Sequence, residues 1–385
     1  MRKNILSFLA LFGLAFCTMA QNITAPGIIR ETRGTHRYCG FIMHNGTVVV
    51  KPIYFEAQDF SEGLAAVQDT NKRWGFINTS GKRVFVLPAN VKQVGNFHEG
   101  LCWFRDKESN KVGYIDRTGK VAIRPQWDYA RDFNDGLAAV GNGDFTGRFW
   151  YRVDRMIGYI DHTGSVVLPV NMTDRHGKNY RLADFSCGRA TLHDGDSAFI
   201  IDTKGNKLFG GNYRRAHRFS EGFCTVGTAT NEPCNSGDDD SDLPDCRFHW
   251  FVIDTAGNIV LDKYANTFHE GVSCNNLSDD DYIYTDTTGK QIIERHFKYA
   301  RIFQEGLAFV TEMDGTQGFI DHSGKMVIKL SDDKTYSGSE FKNGIVTIYE
   351  RTTDTNNEKV THYEEEVRNR DGLLLWMDSY TETFY

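Results

Sequence analysis

The chain has 385 residues and a formal net charge of −7, with no run of clustered Lys and Arg. That balance excludes a protein held to nucleic acid through the phosphate backbone, which needs a basic surface. Its 37 Gly and 27 Phe against only 7 Pro point to many short strands joined by tight turns.

The first 20 residues read as a cleaved signal peptide. Arg2 and Lys3 lead, an apolar stretch covers 5–16, and the small residues Thr18 and Ala20 place cleavage after Ala20. The apolar stretch is shorter than the about 20 residues that a spanning helix needs. Lipidation at Cys17 is the weaker alternative, because Phe16 stands where a small residue is wanted. No later apolar run is long enough to span a bilayer. Cleavage removes two bases and no acid, which takes the charge from −7 to −9. The expected destination is the periplasm, the outer envelope or the exterior.

A lead-in at 21–37 precedes a repeat array over 38–376, and a short tail follows at 377–385. Two signatures alternate through the array. The first is a hairpin such as "GYIDRTGKVAIRP" from Gly113, with turn glycines at Gly46, Gly81, Gly119, Gly164, Gly205, Gly257, Gly289 and Gly324. The second is "F-x-E/D-G-L", anchored at Phe60, Phe97, Phe133, Phe185, Phe219, Phe268, Phe303 and Phe341. "RNRDGLLLW", which ends at Trp376, reads as the first half of a ninth unit. Self-similarity at such a period signals a repeat architecture.

In the hairpin, Asp116 accepts hydrogen bonds from N–H groups of its own turn, and Gly119 takes a positive φ without a Cβ clash. The same holds for Asp161 with Gly164 and Asp321 with Gly324. Asp202, Asp254 and Asp286 fill the same slot, and Asn78 and Met43 fill the other two. A catalytic acid is usually unique, so a residue repeated six times at one position reads as a turn former. The acids before the second Gly are set aside on the same ground. That second signature is expected to place Gly136 in a left-handed conformation, with Phe133 buried beneath the turn.

The expected fold is all-β: about eight and a half antiparallel hairpin or three-stranded units in tandem. Each is too thin to bury its apolar face alone, so neighbours must stack. An open superhelical stack is the expected arrangement, and a closed β-propeller-like ring is the alternative.

"RWGFINTSGK" from Arg73, followed by "FHEGL", resembles the WG-containing repeat, also called KWG. The resemblance runs from about Tyr38 to Trp376. The Trp-Gly pair is intact at Trp74-Gly75, while Cys39, Val112, Ile157, Ser197 and Gln317 stand in the Trp slot elsewhere. The resemblance implies a bacterial β-repeat architecture and no particular chemistry.

The non-repeated residues carry the remaining expectations. Cys234 and Cys246 flank an acidic insertion and form a disulfide candidate. The insertion lacks the Gly and Glu of a calcium loop. Arg148, Trp150, Tyr151 and Arg152 combine residue types that anchor interfaces, so they form a candidate binding surface. His162 and His322 share one turn slot and His98 and His269 another. Each pair falls on separate units and reads as exposed, and no metal or cofactor is expected. Cys39, Cys102, Cys187, Cys224 and Cys274 occupy repeat slots and read as packing or turn residues. The expected function is a non-enzymatic binding or scaffold surface for a protein, glycan or envelope partner. The alternative is a hydrolase built from non-repeated acids such as Asp144 or Glu364 to Glu366.

Overall fold

The computed structural model describes residues 25–142, 156–169, 184–194, 197–230, 248–331, 336–338, 340–353 and 360–383. Every regular element among them is a β-strand, and every strand pairing is antiparallel. The strands form seven sheets. Five sheets hold one unit each: unit one at 27–54, two at 56–86, three at 91–127, four at 129–169 and nine at 336–383. The six-stranded sheet holds units five and six, joined through the long strand Lys207–Ala216. The seven-stranded sheet holds units seven and eight, joined by the pairing of Tyr282 with Phe297.

A complete unit has four strands rather than three, as in Glu56–Ala57, Leu64–Gln68, Trp74–Asn78 and Arg83–Val86. The extra strand precedes the Phe anchor and can be two residues long, too short to show a period in the sequence. The stretch ending at Trp376 is likewise no half unit. Its hairpin, Val360–Asn369 with Leu374–Thr383, pairs with the strand Ile345–Thr353 and completes unit nine. The strands therefore pass both ends of the expected array, starting at Gly27 and running to Thr383.

The two turns of each unit have separate geometries. At Asp116–Lys120, Gly119 N–H donates to Asp116 O (2.9 Å) and Gly119 has φ +82°. The register slips by one residue beside it, as in a type I turn followed by a glycine bulge. At Ser61–Leu64 the two end residues exchange both backbone bonds, and Glu62 and Gly63 both have positive φ (49° and 78°). That is a two-residue type I′ turn. The expected left-handed glycine is present at Gly136 (φ +83°). The preceding acid is left-handed as well, which is uncommon for a long side chain.

The acid's carboxylate accounts for its place in that conformation. Glu62 accepts the N–H of Gly100 (3.1 Å), Glu99 that of Gly136 (3.0 Å) and Asp135 that of Gly188 (2.7 Å). Glu221 accepts from Gly271, Glu270 from Gly306 and Glu305 from Gly344 (2.8, 2.9 and 2.8 Å). Each acid thus ties its unit to the next through a charge-assisted bond. Cys187 holds this slot in unit five, at φ 56° and exposed, and a thiol is a weak acceptor. Cys187→Glu is therefore expected to add the missing tie to unit six, with a gain of about 1–2 kcal/mol in chemical denaturation.

The core runs between units. Each anchor Phe is buried and packs against the preceding unit, as in Phe41 with Phe60, Phe76 with Phe97 and Tyr114 with Phe133, at 5.0–5.1 Å between ring centres. Each turn glycine also leans on the preceding unit. A Cβ on Gly119 would lie 2.6 Å from Phe85, and one on Gly164 would lie 2.8 Å from Ile123. Close approach is thus a second reason for glycine there, besides its φ.

The two ends of the array meet. Gly46 of unit one sits against Leu375 of unit nine, where the same contact links other neighbours. Ile29 and Ile42 share a core with Ile345 and Val367. Trp376 Nε1 donates to Arg30 O (2.6 Å) and Thr32 N–H to Asp378 (3.0 Å). Glu365, wholly buried, is paired with both Arg30 and Arg37. These contacts join unit nine to unit one, so the array closes on itself instead of ending as an open stack.

Candidate functional site

The expected candidates divide by position. Cys17, Ala20, Asp144, Arg148, Trp150, Tyr151, Arg152, Cys234, Cys246 and the acidic insertion all lie outside the described residues. The repeated acids lie within them, and their carboxylates are engaged by backbone. Asp116 Oδ1 accepts from Thr118 N–H, Thr118 Oγ1 and Lys120 N–H at 2.8, 2.6 and 3.1 Å. Asp161 and Asp321 repeat the pattern, and Asn78 reproduces it without a charge.

The Thr118 hydroxyl, first among its partners, holds the Asp116 carboxyl below the ordinary aspartate value of 3.8. Asp161, Asp202, Asp254, Asp286 and Asp321 are lowered as well. An acid whose value falls on folding contributes stability above its unfolded value and loses it as pH drops through the folded one. The folded protein should therefore weaken progressively below about pH 4. Changing all six Asp to Asn, which keeps the acceptor, should flatten that loss in thermal melts recorded against pH.

The histidines of the turn slot are half-exposed and occupied. His162 stacks on Phe133 at 4.5 Å and lies 3.2 Å from Glu99 of the preceding unit. His322 stacks on Phe303 at 4.1 Å and lies 3.4 Å from Glu270. Arg117 takes the same position over Phe97 and pairs with Glu62 at 3.0 Å. Cys39, Cys102, Cys224 and Cys274 are buried, and burial pushes the thiols of Cys224 and Cys274 up to about 12. That leaves them protonated and poor nucleophiles. No group of three or more His, Cys, Asp or Glu among the described residues could hold a metal ion.

What remains is a belt of charges around each anchor Phe. The residue before the anchor is Asp59, Asp132, Asp184 or Glu340 in four units, and these acids pair across unit boundaries. His98 lies 3.5 Å from Asp132, Arg131 3.0 Å from Asp184, Arg301 3.8 Å from Glu340 and Lys342 2.9 Å from Asp59. Lys342 belongs to unit nine and Asp59 to unit two, so this pair passes over unit one. A contact can skip a unit only where the units converge, so the belt lies on the inner side of the ring.

The belt is densest in units three to five. Asn96 Oδ1, Asp132 Oδ1 and Asp184 Oδ1 are each buried without a hydrogen-bond partner. Burial, opposed by His98 and reinforced by Asp184, raises the Asp132 carboxyl above its ordinary value. The Tyr129 hydroxyl accepts from Arg131 Nε at 2.5 Å. These residues differ from unit to unit, so the repeat pattern concealed them; the signal was the acid recurring just before Phe60, Phe133, Phe185 and Phe341.

A second polar space of about 400 Å³ lies where units eight, nine, one and two meet, lined by Ile28, Arg30, Asp59, Glu340, Lys342 and Tyr349 among others. Sequence reading also missed Trp250, Tyr282 and Glu365 in the Trp slot, four residues before Asp254, Asp286 and Asn369, and in unit five that slot is Ala198 rather than Ser197. Glu364 to Glu366 lie on the strand Val360–Asn369. There Glu365 is committed to its two arginines and Glu366 to Arg368 (2.8 Å).

Four segments of the chain, residues 40–72, 74–108, 113–144 and 284–315, match the WG containing repeat family. No curated protein matches the chain. Among solved structures it is similar to BamB from Moraxella catarrhalis, at 12% identity over 85% of this chain and 96% of that one, with a TM-score of 0.42. Hsv2p of Kluyveromyces lactis matches at 10% identity over 86% and 98%, with a TM-score of 0.32. The Pan2 WD40 domain of Neurospora crassa matches at 13% identity over 69% and 88%, with a TM-score of 0.31.

Proposed function

We propose that this protein is an exported, non-enzymatic β-repeat scaffold that binds a protein or glycan partner of the cell envelope through the charged inner side of its ring. One observation carries the reading: the repeated carboxylates are bound to backbone, whereas the inner side varies and leaves three buried acceptor oxygens, those of Asn96, Asp132 and Asp184, without a donor. Buried acceptors without donors cost stability and are retained where they do something else. A partner offering ammonium, guanidinium or hydroxyl donors would satisfy them.

The test is the double variant Asp132→Asn/Asp184→Asn in the mature chain. A raised carboxyl favours the fold at low pH, and that contribution is lost as pH rises through the folded value. For Asp132→Asn alone this removes a cost, so that single variant should be at least as stable as the parent at pH 7. Capture of envelope material by the double variant should fall at least tenfold. Unchanged capture would remove the inner belt from the binding surface.

The hydrolase reading would rest on Asp132, raised by burial and set beside His98. It requires turnover of a glycan or peptide that Asp132→Asn abolishes.

A further inference from the structure

Units two and three share a buried core that includes Leu87, Val91, Phe104 and Ile115. These four residues, with Val121 and Arg124, line a pocket of about 420 Å³ at the boundary. All of its lining lies within residues 87–125, a stretch described throughout.

The pocket has a cause in the sequence. The eighth residue after the turn glycine is Tyr54 in unit one and Trp127 in unit three. Both rings are buried, each in the core shared with the following unit. Each pairs across the sheet with a smaller residue, Cys39 or Val112. Unit two reverses the arrangement. Its large ring is Trp74, on the third strand, and Leu87 N–H donates to Trp74 O (2.8 Å). The eighth residue after Gly81 is Ala89, which is exposed. The fourth strand stops at Val86, and Pro88 has no N–H with which to continue the ladder. The ring that closes the boundary after units one and three therefore has no counterpart after unit two, and the floor of the gap is apolar.

Two ionic groups line the pocket, and only one of them is engaged. Asp106 Oδ1 accepts from Asn90 Nδ2 (2.8 Å), and Oδ2 accepts from the N–H and the hydroxyl of Ser109 (2.7 Å each). Arg124 is exposed and has no hydrogen-bond, ion-pair or ring partner among the described residues. Asp106 ends the strand Leu101–Asp106, Arg124 lies on Val121–Trp127, and Val112–Asp116 runs between them. Two strand spacings hold the backbones about 10 Å apart, so the acid leaves the guanidinium uncompensated. A guanidinium offers a planar fork of donors that matches a carboxylate.

We infer that this pocket binds a small aromatic carboxylate, with its ring in the place that Trp127 fills after unit three and its carboxylate on Arg124. The volume falls in the range of small-ligand pockets, about 300–1,000 Å³. Transfer of the ring from water onto the apolar floor supplies affinity, and the charge-assisted pair fixes orientation. None of the lining residues belongs to the inner belt, so the site goes beyond the scaffold reading and stands apart from Asp132 and Asp184.

The probe is indole-3-acetate, titrated into the mature chain by calorimetry. It should bind. Indole-3-acetamide, which keeps the ring and loses the charge, should bind at least tenfold more weakly, and so should hexanoate, which keeps the charge and loses the ring. Arg124→Gln, at an exposed position, should melt like the parent. It should bind the acetate at least tenfold more weakly and no longer distinguish it from the amide. Acetyl-Gly-Gly-Trp with a free carboxylate should bind no tighter than the acetate; tenfold tighter binding would mark the occupant as the end of a partner chain and overturn the small-molecule assignment. Absence of binding by the acetate, equal binding of acetate and amide or of acetate and hexanoate, or undiminished binding by Arg124→Gln also overturns the inference. Each of these results leaves the Asp132 and Asp184 test standing on its own.

Discussion

Glu365→Ala is expected to lower stability by about 3–5 kcal/mol, the cost of leaving buried charge without its partner. Glu365 is fully buried, and its carboxylate is shared by Arg30 and Arg37 of unit one. Arg37 also lies 3.6 Å from Asp378 and stacks over Tyr380 at 4.4 Å. The substitution therefore leaves two guanidinium groups, each a little over a quarter exposed (29% and 28%), facing one remaining acid. That partial exposure lets water relieve them, which favours the lower end of the range. The seam differs from the carboxylate ties between other neighbours. There one acid meets one or two backbone N–H groups at an exposed or half-buried turn, whereas here an acid replaces the Trp of the repeat and sits inside. Hydrogen exchange should accordingly rise first in Gly27–Arg33 and Val360–Asn369, while units three and four keep their protection. The triple change Arg30→Met/Arg37→Met/Glu365→Leu should recover most of the loss, because an apolar replacement of a buried ion cluster removes the desolvation cost with the charges. If Glu365→Ala melts like the parent, the ring is held by its apolar contacts alone.

The sequence was legible where one physical requirement recurs. The hairpin turn needs an acceptor at Asp116 and a left-handed residue at Gly119, and both needs show as letters repeated through the chain. The anchor Phe is equally visible, because each unit must bury one large ring against the last. Three features were illegible, each for its own reason. The inner strand at Glu56–Ala57 is too short for a period of two to register. The role of Glu62 depends on Gly100, 38 residues on, and a contact between units leaves no local pattern. Closure depends on curvature accumulated over the whole array, and its mark, Glu365 in a Trp slot, looks like one more surface acid among neighbours. The inner belt falls between these cases. Its slot is regular but its residues are not, because packing dictates the anchor while the residue before it is free to serve a partner.

Phe133→Ala should cost about 3–5 kcal/mol, as large-to-small changes of buried aromatics do. Phe133 is 1% exposed and touches both neighbours of its interface. Its ring meets Tyr114 of unit three edge-on at 5.0 Å, and His162 of its own unit lies flat over it at 4.5 Å. His162 in turn lies 3.2 Å from Glu99, which accepts the N–H of Gly136 in the turn that Phe133 supports. The anchor, the covering ring, the acid and the turn therefore form one closed circuit of contacts across the boundary. Groups that share partners in this way are not additive. A double-mutant cycle of Phe133→Ala with His162→Ala should show a coupling of about 0.5–1.5 kcal/mol, the range for ring pairs beyond buried area. Phe219 supplies the contrast. It is equally buried, but packs on Ile200 and Val226 in its core, and the unit before it offers Cys187 in place of an acid. Phe219→Ala should thus lose the transfer and cavity contributions alone and fall below Phe133→Ala. Equal losses at the two positions, with no coupling in the cycle, would mean that the anchors act only as buried volume and that the carboxylate ties add nothing to them.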